Sequence, residues 1–162
     1  APIYRRSALK TVSLDQEILD EDFVSYKEDV DLAWRLRMSG YEAYVVPNAV
    51  AYHDRTLSGA KGIDKFLKNH QKRAPQLALY SWVNHWGCVI KNDTWYNIGR
   101  DWPWIIAIEV KKFIYYLFFR PIIFGQGIRR LFLLLPKFLY KRKKFKAFHQ
   151  ITPFKLRQWW TK

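Results

Sequence analysis

Charge is divided so unevenly along this 162-residue chain that its two ends need separate accounts. Residues 1–99 carry 13 Lys/Arg against 12 Asp/Glu, whereas residues 100–162 carry 15 against two. A near-neutral segment is joined to a strongly cationic one, and the net charge of +14 belongs almost wholly to the second. The composition changes between residues 92 and 100, which divides the chain into residues 1–95 and a basic, aromatic tail over 96–162. The length allows one domain with a core plus such an appendage. The opening APIYRRSALK has no initiator Met, no charged-then-apolar signal pattern and no Arg/Ser-rich leader, so it reads as the middle of a protein. Cys88 is the sole cysteine and excludes an intramolecular disulfide; its flanks Trp86, Val89 and Ile90 predict a small buried side chain in a reducing setting.

Within the first part, residues 2–5 are expected to form a short strand and residues 7–12 a brief helix. The acidic run Asp15, Glu17, Asp20, Glu21 and Asp22 reads as a solvated connection. Residues 28–39, EDVDLAWRLRMS, predict a helix: acids fill its first turn, Arg35 and Arg37 come late, and Gly40 stands where a left-handed cap belongs. The β-branched and aromatic runs 41–46 and 49–53, separated by Pro47-Asn48, predict two short strands. Strand, helix and strand together indicate an α/β fold. Residues 59–92 are expected to be helical with an interruption at Pro75.

Three acids, Glu28, Asp29 and Asp31, open the predicted helix at a strand-to-helix junction, where α/β proteins build sites. At about 100° per residue, Asp29 and Asp31 point about 200° apart, so one is expected to be chemical and the other structural. The plainer alternative makes all three exposed helix-start charges, with Asp31 and Arg35 an i, i+4 pair worth a few tenths of a kcal/mol.

The wider pattern bears on that choice. Arg5-Arg6, then Leu19-Asp20-Glu21-Asp22-Phe23, Tyr26, Glu28-Asp29-Val30-Asp31-Leu32, Arg35, Gly40, Tyr44, Pro47, Ala49 and His53 share their order and spacing with a known motif. In these residues the chain resembles the bacterial family 2 glycosyltransferases of the rhamnosyl- and galactofuranosyl-transferase-like branch. The resemblance covers residues 1–55 and departs from the pattern at Leu19, Val24 and Lys27. It implies the C-terminal part of a GT-A domain, a Rossmann-like fold of nucleotide-diphospho-sugar transferases, followed by an amphipathic helical tail.

The resemblance also implies roles. Asp29 matches the general base that deprotonates the acceptor hydroxyl. Glu28 would orient that base or the acceptor, while Tyr26, Asp31, Trp34 and Arg35 would support the acceptor site and brace the helix. His53 matches the ligand of a divalent ion, Mn or Mg, that bridges the donor diphosphate in metal-dependent members. By itself a His at a strand end is an ordinary loop residue. The nucleotide-binding βα unit and the donor-side Asp-x-Asp have no counterpart in this chain: Asp29-Val30-Asp31 holds the acceptor-side position, and Asp20-Glu21-Asp22 lies in the acidic loop. A truncated enzyme, inactive as it stands, is what the resemblance implies. Of the other polar residues, His70, His85 and His149 read as surface or interhelical groups, and Asn84 and Lys91 as helix-packing groups.

In the tail, aromatic and aliphatic residues alternate with Glu109, Lys111, Lys112, Arg120, Arg129 and Arg130, so no uncharged run is long enough for a spanning helix. Pro103, Pro121 and Pro136 are expected to cut it into short pieces lying in a membrane interface, with Lys141-Arg142-Lys143-Lys144 drawn to anionic lipid. A packed helical hairpin with a solvated basic face is the alternative. Single-stranded nucleic acid ranks below both, because the aliphatic content is high and no RNA-binding motif is present.

Two functions are therefore carried forward. One is an inverting hexosyltransferase at the cytoplasmic membrane face, moving sugar from a nucleotide-sugar to a glycan or lipid-linked acceptor in cell-envelope polysaccharide synthesis. The other is a non-enzymatic, basic module that binds membrane or nucleic acid. Nothing in the sequence specifies an oligomeric state.

Overall fold

The computed structural model describes residues 2–52 and 75–158. Among the described residues six α-helices follow one another: α1 (Arg6–Val12), α2 (Glu28–Met38), α3 (Pro75–Asn92), α4 (Trp95–Phe119), α5 (Pro121–Phe145) and α6 (Pro153–Arg157). Short 3-10 turns occupy Glu21–Phe23 and Lys146–Phe148. Among the described residues there is no strand, only an isolated antiparallel bridge between Leu14 and Glu17. Its two-residue turn, Asp15-Gln16, takes φ of 49° and 72°, the left-handed pair of a tight hairpin turn.

The α/β architecture expected from the sequence is thus corrected to an all-helical one, and a Rossmann-like GT-A fragment is not what these residues form. Residues 2–5 and 41–52 have strand-like side chains, but among the described residues no neighbouring strand takes their backbone hydrogen bonds. Ile3, Val45 and Tyr52 are almost fully exposed. Branched and aromatic residues favour a pleated, half-buried surface, and without a sheet to complete they confer no strand. His53 lies outside the described residues.

α2 forms where its local signals put it. Acids occupy its first turn and Arg35 and Arg37 its last, and Gly40 follows with φ of 83°. The Gly40 N–H donates to Arg37 O and the Tyr41 N–H to Leu36 O, both at 3.0 Å, which closes the helix with a Schellman motif. The apolar face of α2, Leu32 and Leu36, packs on Ala8 and Val12 of α1.

α3 is the central element. Its Ala78, Trp82, Val83 and Cys88 share a core with Tyr115 and Tyr116 of α4, Leu134 and Phe138 of α5, and Phe23. The tail therefore packs on the rest of the chain through its own aromatic residues. Two glycines set the closeness of α3 and α5: a Cβ on Gly87 would lie 2.8 Å from Phe138 and Phe23, and one on Gly127 2.6 Å from Trp82.

Pro121 divides the tail as expected, whereas Pro103 and Pro136 do not. Pro75 and Pro121 begin α3 and α5 at positions where the missing N–H costs nothing. Pro103 and Pro136 sit inside 25-residue helices instead of ending them. Each frees the carbonyl four residues back, on Gly99 and Phe132, and both of those residues are exposed.

Candidate functional site

The residues singled out by sequence divide between the two sides of α2. On one side, Asp31 is fully buried. Its Oδ2 accepts from Arg35 Nε at 3.0 Å, and its Oδ1 accepts from Asn92 Nδ2 and Lys91 Nζ, both at 2.7 Å. Arg35 also donates to Val12 O at 2.6 Å and Ile18 O at 2.7 Å, fastening α1 and the acidic turn to α2. Lys91 reaches past Asp31 to Asp20.

Asp20 in turn accepts from Lys141 of α5 at 2.7 Å, and the same ammonium contacts Asp22 at 3.0 Å and Glu17 at 3.1 Å. Burial pushes the Asp20 carboxyl up, but Lys91 and Lys141 outweigh it and hold the group below the usual carboxylate range. Burial lowers Lys141 in the same way, and its carboxylate partners overturn that and raise it. The acidic connection expected to be solvated is therefore partly internal, because cations 71 and 121 residues away close over Asp20. With every charge partnered, the network is a brace: its removal strands charges in the interior, whatever its net contribution.

On the other side of α2, Asp29 is exposed in the first turn. Its Oδ1 accepts from the Val30 N–H at 2.8 Å, and among the described residues no cation is within ion-pair distance of it. Glu28 is half-buried, and its Oε2 is a buried atom that accepts no hydrogen bond from them. Tyr26 and Lys27 lead into the helix with φ of 69° and 71°, and Val24 before them has φ of 44°. Left-handed backbone at a β-branched residue persists only where surroundings enforce it. Here they do: the fully buried Asn84 of α3 donates through Nδ2 to Phe23 O at 2.7 Å and to Ser25 O and Tyr26 O at 2.8 Å.

Tyr26, Glu28 and Asp29 thus come together on the exposed start of α2, with Asp31 and Arg35 on its buried face. Trp34 is half-buried against the main core. His53 lies outside the described residues, so its relation to Asp29 is not part of this geometry. Among the described residues no three His, Cys, Asp or Glu side chains converge as a metal ion would require.

Asn84, Lys91, Asn92 and Lys141 are the residues whose roles the local sequence does not announce. Asn84 and Lys91 are read there as packing groups, which describes their burial but not that they hold the loop and Asp31. Cys88 is buried, and burial pushes its thiol up to about 12, so it is no nucleophile at neutral pH. His85, driven down to about 4 by burial and then by Lys112, is neutral beside Glu109 at 3.4 Å. The cleft next to Arg35, lined also by Asn92, Phe148 and His149, leaves no room even for a water molecule and is no ligand pocket.

Comparison with protein-family models, with curated proteins and with solved structures finds no match.

Proposed function

We propose that this chain carries the acceptor-activating part of an inverting glycosyltransferase, with Asp29 as its general base. The observation that carries the reading is the division of labour along α2: Asp31 is taken up by Lys91, Arg35 and Asn92, while Asp29, two residues away, is exposed and unpaired by any described cation. The Glu28 to His53 motif supplies the chemistry that such a carboxylate would perform.

In that chemistry an acceptor hydroxyl attacks the anomeric carbon of a nucleotide-diphospho-sugar. The bond from that carbon to the diphosphate oxygen breaks in line, and the configuration inverts. Asp29 takes the hydroxyl proton, a role that needs an ionised group within hydrogen-bond reach. Asn84, by holding residues 23–26, keeps the turn that presents Asp29 in one conformation. Glu28, half-buried beside it, is the group to orient the acceptor. A divalent ion, Mn or Mg, would neutralise the leaving diphosphate, and His53 is the residue offered for it. The acceptor is a glycan or lipid-linked saccharide of the cell envelope, met at the cytoplasmic membrane face.

The test is transfer by the full-length protein. A product whose anomeric configuration is opposite to the donor's, and a loss of about 10²–10⁴-fold on Asp29→Asn, are expected. Retention of configuration, or undiminished turnover by that variant, would refute the assignment.

A further inference from the structure

We propose that one face of α4 is a docking surface for an anionic lipid bilayer. Trp102, Ile106, Val110, Phe113, Ile114 and Leu117 are spaced so that at about 100° per residue all six fall within an arc of about 120°. Each is between 40% and 55% exposed, whereas Glu109 and Tyr116, which border the stripe, and Tyr115 across the helix are buried. The stripe is about 22 Å long and contains no charged residue. A continuous exposed apolar face of this size on a folded protein marks an interaction site.

Charge complementarity selects lipid as the occupant. The cationic segment has only two acids, Asp101 and Glu109. Asp101 is bound by both Arg157 nitrogens at 2.7 Å, and Glu109 is buried against Lys112 and Trp82. Nothing negative is left on the hairpin to repel an anionic surface, while Arg100, Lys111, Arg129 and Lys143 remain exposed. Trp102, at the start of the stripe, is 55% exposed, the placement of an aromatic anchor at headgroup depth. Among the described residues no helix is long and apolar enough to cross a membrane, so α4 meets the bilayer along its side.

From sequence, Lys141-Arg142-Lys143-Lys144 is expected to add its attraction for anionic lipid to that of the apolar pieces. Three of these are engaged within the fold: Lys141 with Asp20, Arg142 with Ile90 O and the Trp95 ring, and Lys144 with Asp15. Docking therefore moves from that cluster to α4. It is argued from exposure and charge alone and is independent of the transfer reaction.

Vesicle co-sedimentation of the full chain tests it. Phosphatidylcholine vesicles containing about 30% phosphatidylglycerol should bind the protein, and pure phosphatidylcholine more weakly. The variant I106S/F113S/L117S should keep its thermal unfolding transition and bind the anionic vesicles at least about tenfold more weakly. If that variant does not fold, brominated acyl chains should quench the tryptophan fluorescence of the otherwise unaltered protein, and W102F should reduce that quenching. Any of four results would overturn the proposal: no vesicle binding, undiminished binding by the serine variant, self-association that the serine variant abolishes, or preference for an oligonucleotide over the vesicles.

Discussion

Asp31 has three polar partners that a replacement would strand, and Asp29 has none of that kind. Asp31→Asn leaves the buried Lys91 and Arg35 short of a counter-charge and is expected to cost about 3–5 kcal/mol by urea unfolding. Asp29→Asn at an exposed helix start should cost less than about 1 kcal/mol. The separation of the two carboxylates was legible in their spacing. Arg35 was legible as the i, i+4 partner of Asp31, but Lys91 and Asn92 were not, because they are some 60 residues away and nothing local distinguishes them from surface groups.

Titration at the residue scale has an observable signature. Burial raises Asp93 from 3.8 to about 6, so between those values the folded state holds a proton that the unfolded chain has released, and stability falls as pH rises. Burial lowers His85 from 6.5 to about 4, so in that window the unfolded chain binds more protons and stability rises with pH. The two slopes oppose each other between about pH 4 and 6. Asp93→Asn is expected to steepen the rise of thermal stability with pH there, and His85→Gln to reverse it; parallel profiles for both variants would show that neither group is perturbed.

Among the elements, α3 and α5 meet through glycines. Gly87→Ala and Gly127→Ala force a methyl against Phe138, Phe23 or Trp82, and each should cost about 1–3 kcal/mol in urea unfolding. No change would mean that the helices cross less closely. Helix α2 was legible from sequence because its acidic first turn, late arginines and Gly40 act within a few residues. Residues 41–52 misled because strand propensity says nothing of whether a partner strand exists. Pro103 and Pro136 misled because a proline inside a helix can kink it without ending it when the carbonyl it frees lies on an exposed residue. The hairpin alternative for the tail describes α4 and α5 better than a set of short pieces does.

Across the whole molecule, Lys141 of α5 joins Glu17, Asp20 and Asp22, and Phe138 packs on Phe23 with centroids 6.0 Å apart. The cationic segment thereby holds the turn that leads into α2. Lys141→Met should lower stability by roughly 3 kcal/mol at neutral pH. Asp20 and Asp22 are held below the usual range, so the stability they contribute is present above 3.8 and lost as pH falls through their folded values. The penalty for Lys141→Met should therefore shrink on acidification; a penalty independent of pH would assign Lys141 to packing alone. The charge split was visible in composition, but its internal use was not, since it depends on which cation the fold brings over Asp20.

The base assignment of Asp29 is tested most directly by single-turnover transfer in the full-length protein, with nucleotide-sugar binding measured on the same samples. Asp29→Asn is expected to bind the donor as the unaltered protein does while transferring about 10²–10⁴-fold more slowly. Transfer at an unaltered rate by a variant that still binds donor would contradict it.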